Sequence, residues 1–495
     1  MRSSRVFPRL LATALLCAAT VLSPVARAEA SGRPDFRTAE AGNPFVDGWY
    51  ADPDVAVHGD TYWVYPTSSR PYAEQTYLDA FSSKDLVHWT KHPNVLTTES
   101  VSWAKYAVWA PAPVARNGKY YLYFAANDIQ GDDELGGIGV AVADHPAGPY
   151  RDALGHPLVG KFHNGAQPID QDVFVDDDGQ AYLYYGGWGH ANVVKLNADM
   201  TSLGTFPDGS TYREITPAPE YVEGSQLFKR GGKYYLMWSE GGWTGPDYSV
   251  SYGMADSPTG PFTRLDKVLA QDPAIARGSG HNSVLNVPGT DIWYIVYHRR
   301  PLSTNNGNHR QLAYDRMRFN ADGTIARVTM AVEDNFADGD TTGWRTAGGG
   351  WQAVGGRLRA DRTAEASALL DTNFRDLTQD TEVRLDSGRG EAGLLVRSTA
   401  AGGYFAGLTG TGRVVLRRAG GGTWTELASA PLRHATGRSH RVRVTAVGPE
   451  LRVYVDDLAT PKLRVTDPTH LTGANGVRVA GAGALFDDLA VRPAG

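Results

Sequence analysis

One pattern recurs five times in this chain, and its period constrains the fold more than any other feature. The copies occupy residues 52–69, 109–126, 170–187, 223–242 and 281–300. Their first residues, Asp52, Trp109, Asp170, Glu223 and His281, are separated by 57, 61, 53 and 58 positions. Each copy reads as a polar or aromatic head, a short apolar strand, a Gly-containing turn and a second strand rich in Tyr and Trp. A further strand follows each copy, near 77–89, 137–144, 191–198, 248–256 and 311–320. Several of these end in Pro-Gly turns, as in ADHPAGPY (143–150) and ADSPTGPF (255–262). All-strand repeats of this length predict a five-bladed β-propeller over 40–330. No amphipathic helix is expected there. Tyr121, Tyr184 and Tyr235 recur at blade positions and read as core.

The repeat stops near residue 330, where Gly, Ala and Arg rise and Tyr becomes sparse. Short alternating strands at 382–385, 392–397, 413–418, 440–447, 451–455 and 476–479 predict a β-sandwich over 333–495. A last strand at 484–491 is expected to pair beside 335–336. The fold class is therefore all-β, a propeller followed by a sandwich.

The first 28 residues read differently. Arg2, Arg5 and Arg9 precede the apolar run 10–22, and Ala26-Arg27-Ala28 offers a small-residue cleavage site. That is the pattern of a secretory leader, and a secreted, extracellular location is expected. Removing 1–28 takes four arginines and brings the net charge from −6 to −10. Such a balance argues against nucleic acid or an anionic membrane as partner. Cys17 is the single cysteine, so no disulfide is expected and the core must suffice for stability.

Three of the five heads are carboxylates. Propeller symmetry brings equivalent strand starts to one end of a central channel, so Asp52, Asp170 and Glu223 should share one pocket. Like charges in a partly dry cavity push one pKa upward, which leaves a general acid beside an ionised base. Glycosidic hydrolysis needs that pair. A lone Asp or Glu at a strand start usually caps a turn, and Asp54, Asp172 and Asp176 to Asp178 read that way. Recurrence at repeat positions is what lifts the three heads above this reading.

These residues resemble glycoside hydrolase family 43. The motifs that carry the likeness are Tyr50-Ala51-Asp52-Pro53, Trp109-Ala110-Pro111, Ile169-Asp170 and Glu223-Gly224, in order and in separate blades. The resemblance implies Asp52 as general base, Asp170 as pKa modulator and orienter, Glu223 as general acid, and inversion at the anomeric carbon. Gln171 stands where the family often has Pro. The resemblance also implies that His281 faces either the pocket or a metal, commonly calcium held through water, and that Arg310 is directed at the sugar. No cofactor is required for the hydrolysis.

Sugar rings present C–H faces that stack on aromatic planes, so Trp103, Trp109, Trp188 and Trp243 are candidate walls. The C-terminal domain resembles laminin-G-like or family 66-like carbohydrate-binding sandwiches. There Trp351, Tyr404, Trp424 and Tyr454 could stack on sugar, and Glu333 or Asp334 with Asp487 could hold a structural calcium. The function expected is removal of terminal or side-chain sugars from hemicellulose by a monomer. An α-L-arabinofuranosidase leads, and a β-xylosidase, or one enzyme with both activities, is the alternative. A non-catalytic sugar-binding propeller has no need of all three carboxylates. A fructan-cleaving enzyme would need Asn-Asp-Pro-Asn and Glu-Cys motifs, which this chain lacks.

Overall fold

The computed structural model describes residues 41–386, 389–433 and 435–494 besides Met1, so the leader pattern lies outside the described residues. Five antiparallel sheets follow one another along the first part of the chain. Blade 1 holds Tyr50–His58, Thr61–Ser68, Tyr77–Ser83 and Thr90–Thr97, and blade 2 holds Trp109–Arg116, Lys119–Ala126, Gly137–Ala143 and Arg151–Asp152. Blade 3 holds Asp172–Val175, Ala181–Tyr185, Asn192–Leu196 and Tyr212–Glu214, and blade 4 holds Glu223–Arg230, Lys233–Glu240, Ser249–Ala255 and Thr263–Ala270. Blade 5 has three strands, Arg277–Asn286, Trp293–Arg300 and Gln311–Met317. The second strand of each blade is buried on both faces because a neighbouring blade covers it. A run such as Tyr-Tyr-Leu-Tyr-Phe is what such a strand demands, and Tyr121, Tyr184 and Tyr235 are core as expected.

Blade 5 lacks a fourth strand, and the chain's own N-terminal segment covers its outer edge. Asn43 donates Nδ2–H to the Tyr314 carbonyl (3.0 Å) and accepts the Tyr314 N–H on Oδ1 (3.2 Å), so one amide side chain imitates a strand partner. Tyr50 N–H then reaches the Arg310 carbonyl at 2.8 Å. The ring is closed by residues more than 250 positions apart.

Four of the five inner strands begin with a break in register. Register breaks fall between Ala51 and Asp54, Trp109 and Ala112, Glu223 and Gln226, and twice between Arg277 and Ser283. Each blade places one residue in the left-handed region there: Asp52 (φ +47°), Ala110 (+43°), Asp170 (+55°), Gly224 (+69°) and His281 (+44°). Bulges of this kind re-aim a side chain and sit beside functional sites. The true repeat equivalence follows from these five residues. The sequence heads Trp109 and Glu223 lie one position before the left-handed residue of their blades.

The C-terminal part is a sandwich of an eight-stranded and a seven-stranded sheet. The predicted strands are present, mostly longer, as in Leu377–Leu385 and Glu391–Thr399. Ala366–Phe374, Gly402–Thr409 and Thr423–Pro431 are additional. The closing strand Ala484–Pro493 pairs with Glu333–Asp334, two residues earlier than expected. The two domains are not loosely tethered. One continuous apolar cluster runs from Tyr252 and Ile295 of the propeller through Met330, Val332, Phe336 and Trp344 into Leu377 and Val477 of the sandwich. A backbone bond from Asn373 N–H to the Ala274 carbonyl, 2.8 Å, crosses the same junction.

Candidate active site

Asp52, Asp170 and Glu223 come together at one end of the ring, in a cavity of about 310 Å³ also lined by Tyr72, Trp109, Trp188, Trp243, His281 and Arg310. The left-handed turn at Asp52 aims its carboxylate inward and leaves its N–H facing His298 Nδ1 at 3.1 Å. Arg310 Nη1–H donates to Asp52 Oδ1 at 3.1 Å, and its Nε–H donates to Ser69 Oγ at 2.9 Å. Burial alone would push the Asp52 pKa up. Arg310, His281 and His298 together outweigh it and hold the carboxyl far below the usual range. Asp52 is a carboxylate at any working pH.

Glu223 has the opposite setting. Burial and the Asp52 charge push its pKa up to about 7, against a Tyr248 Oη–H bond to Oε1 (2.9 Å) and the pull of Arg310. Asp170, also buried, is raised well above the ordinary value by burial, then by Glu223 and Asp52. Carboxyls so placed cannot all ionise, so Glu223 and Asp170 retain a proton near neutrality while Asp52 does not. One base and one acid thus coexist in one pocket.

His281 lies between two of these groups, with Nδ1 3.5 Å from Asp52 Oδ1 and 3.6 Å from Asp170 Oδ2. Burial pushes its pKa down, so the ring is neutral and stands as a spacer between the two carboxyls. Calcium takes six to eight oxygen ligands, and a neutral imidazole beside an Arg310-paired carboxylate does not match that donor set. Among the described residues no group of three or more His, Cys, Asp or Glu side chains is disposed to hold a metal. At the sandwich edge the acidic residues are already engaged by protein donors. Asp334 accepts from Trp344 Nε1 (2.6 Å), Asp487 from Arg357 (3.1 Å), and Glu333 from Arg492 (2.9 Å).

The four tryptophans separate cleanly. Trp109 packs edge-on against Tyr72 at 4.8 Å and donates Nε1–H to Gln75. Trp243 lies under the Arg310 guanidinium at 4.8 Å, which fixes that cation from the side away from Asp52. Trp188 is 54% exposed, in a left-handed conformation (φ +60°), with Phe162 against it at 4.9 Å. Trp103 does not reach the cavity. It is buried in the blade 1–2 core and stacked on Phe124, because its segment packs under the rim.

Sequence reading missed His298, Tyr248 and Tyr72. His298 ends the second strand of the fifth copy, inside the repeat, yet only the fold shows it against Asp52. Its ring stacks on Tyr248 (5.6 Å, 11°), and burial lowers its pKa to about 4. Gly280 makes room for that stack, since a Cβ there would lie 2.4 Å from the Tyr248 ring. Gln171, in place of the expected Pro, donates Nε2–H to the Ala110 carbonyl and so bridges blades 2 and 3. Asp172 is buried and Asp54 half-buried one tier below, with Asp54 pushed up to about 7 by desolvation.

The comparisons with known proteins agree with this geometry. The model of glycosyl hydrolases family 43 matches residues 41–325. A model described as a 3-keto-alpha-glucoside-1,2-lyase-like domain matches residues 333–492. A β-D-galactofuranosidase of Aspergillus niger is 45% identical over 305 residues, covering 59% of this chain and 86% of that protein. An arabinoxylan arabinofuranohydrolase of Bacillus subtilis is 29% identical over 438 residues, covering 70% and 82%. The solved structure of an α-L-arabinofuranosidase from Clostridium thermocellum is 32% identical, covers 58% of this chain and 96% of that one, and has a TM-score of 0.48. The chain belongs to glycosyl hydrolase family 43.

Proposed function

We propose that this protein is an exo-acting furanosidase that removes terminal α-L-arabinofuranosyl side chains from hemicellulose with inversion. The observation that carries the reading is the pairing of an ionised Asp52 with a protonated Glu223 across one aromatic-walled pocket. Asp52 takes a proton from water as that water attacks the anomeric carbon. Glu223 gives its proton to the departing oxygen. Asp170 orients Glu223 and helps keep it protonated, and Arg310 holds Asp52 and meets a ring hydroxyl. No cofactor enters this reaction, and the acting unit is a single chain, since every group comes from it. The leader pattern at 1–28 supports secretion, where polymeric substrate is found.

A second reading has its own support, because the 45% identical relative bears the name β-D-galactofuranosidase. The two furanosides share their ring configuration and differ in the exocyclic carbon, so one pocket could accept either. Release of nitrophenol from the α-L-arabinofuranoside, the β-D-galactofuranoside and the β-D-xylopyranoside, compared side by side, tests both. Turnover confined to the xylopyranoside would overturn the furanosidase reading. Proton NMR of the first-formed sugar tests inversion, and a covalent glycosyl-enzyme would refute it.

The sandwich aromatics offer no sugar platform of their own. Tyr404 and Tyr454 are buried, Trp351 packs on Phe486, and Trp424 is covered by Arg478 at 4.5 Å.

A further inference from the structure

The catalytic cavity has one wall that the bond-breaking step leaves unused. Asp128, Gln130, Gln167 and Trp188 line it, from loops of blades 2 and 3. Trp188 turns its ring to solvent from a left-handed backbone, which a bulky side chain adopts only where its surroundings enforce it. Three bonds enforce it here. Gly187 N–H reaches the Gln167 carbonyl (3.1 Å), Gly189 N–H the Val222 carbonyl (3.1 Å), and Tyr221 Oη–H the Gly186 carbonyl (2.8 Å). Phe162 backs the indole, and its own N–H is held by Asp132 Oδ1 at 2.8 Å.

Val222 precedes Glu223, so the Trp188 loop is tied to the strand that carries the general acid. That acid protonates the departing oxygen, and the leaving chain must pass on its side of the pocket. Asp52 and Arg310 belong to blades 1 and 5, neither of which adjoins blade 3 in the ring.

Asp128 supplies the polar half of the wall. It is half-buried, left-handed at φ +46°, and anchored through Asn127, whose amide bonds Lys105 N–H (2.8 Å) and the Trp103 and Leu135 carbonyls (both 2.9 Å). Its Oδ1 accepts Nε2–H from Gln130 (2.9 Å) and from Gln167 (3.2 Å), the residue whose carbonyl also holds Gly187. Gln167 thus couples the carboxyl to the tryptophan. Among the described residues nothing donates to Asp128 Oδ2, which leaves an acceptor on the cavity wall. An aromatic face beside an open carboxylate oxygen suits a sugar, whose C–H face stacks and whose hydroxyls donate. An anion does not fit. The one cation lining the cavity, Arg310, is paired with Asp52, and residues 127–136 carry four acids with no Lys or Arg.

We propose that Trp188, backed by Phe162, and Asp128 form the leaving-group subsite, which holds the first neutral sugar unit of the chain from which the terminal sugar is cut. The direction of cleavage rests on the glycosidase reading above, whereas the wall itself does not. Two measurements on the full chain test it. In calorimetry, linear xylotriose or arabinotriose should bind. Trp188→Ala should weaken that binding about tenfold, and so should Asp128→Asn, which keeps Oδ1 and turns the open acceptor into a donor, with melting curves confirming the fold. In kinetics, both variants should raise KM for an arabinoxylo-oligosaccharide at least fivefold more than KM for methyl α-L-arabinofuranoside, with kcat moving less than KM. Equal losses on the two substrates would put the wall on the terminal sugar and overturn the proposal. Binding of neither trisaccharide, or binding that either variant leaves unchanged, overturns it as well. Tighter binding of a glucuronate-bearing xylo-oligosaccharide than of xylotriose would overturn the neutral assignment. If no aryl glycoside is turned over but trisaccharide binding falls in both variants, the function reading fails and the sugar-binding wall stands.

Discussion

The propeller and the sandwich both bury charge, and they treat it in opposite ways. In the sandwich the most buried charges are paired inside their own domain. Arg397, with no exposed surface, gives Nε–H to the Arg375 carbonyl (2.8 Å) and Nη1–H to those of Gly448 (2.8 Å) and His470 (3.2 Å). Asp380 receives Arg441, Arg443 and Arg492, and Glu391 receives Arg478 and Arg417. In the propeller, Asp170 has only a neutral histidine and the Gly224 amide, His298 Nε2 has no partner, and Glu223 leans on one tyrosine. Completed networks hold a fold together, and incomplete ones hold reactivity. Charge left partly unanswered here marks where chemistry or ligand is awaited.

That contrast can be broken by substitution. Asp52→Asn or Glu223→Gln should lower kcat on polymer by about 10²–10⁴, the usual contribution of a positioned acid or base; Glu223→Gln should do so without lowering the melting temperature, whereas Asp52→Asn, which leaves the buried Arg310 unpaired, should lower it. Steady-state rates beside melting curves check this, and comparable residual activity would remove that residue from its role. Arg397→Ala should do the reverse. It leaves three carbonyls without donors and a cavity, so stability should fall by about 3–5 kcal/mol in denaturant titration while kcat below the transition is unchanged. Trp188→Ala should raise KM about tenfold with little change in kcat, since a stacking wall binds substrate and transition state alike.

The pH dependence sharpens the comparison further. Activity should fall as pH rises through about 7, where Glu223 loses its proton, and no acid limb from Asp52 should appear above the ordinary carboxylate range. Stability follows the same group. Its folded pKa is raised, so its contribution is fully present below the ordinary 4.5 and is lost as pH rises through 7. Glu223→Gln should therefore melt about 2–4 °C above the unsubstituted protein at pH 8 and show no such gain at pH 4. Equal melting at both would mean the carboxyl is not held under strain.

Much of this was legible before the fold. The five copies, the Tyr-rich second strands and the acidic heads follow from local pattern, since burial between blades dictates composition directly. The heads were misaligned by one residue in blades 2 and 4. Ala110 and Gly224 occupy the left-handed position there, and neither carries a side chain that chemistry would notice. Trp103 was misassigned because a tryptophan under the rim and one on it look alike in sequence. His298 and Tyr248 depend on contacts across the whole ring, which no local period records. In the sandwich the missed strands, such as Gly402–Thr409, are rich in Gly and Ala and carry little alternation.

Ring closure by Asn43 and Tyr314 has a kinetic meaning. Those partners are 271 positions apart, and Asp52 meets Arg310 across 258. Contacts of such separation form late, because the loop entropy must be overcome before they reward it. Four blades can stack on one another as they are synthesised, but the base stays unpaired until the fifth is complete and the latch engages. Catalytic competence is thus gained in a single late step of folding, and a chain cut short before residue 310 lacks the cation that holds its base.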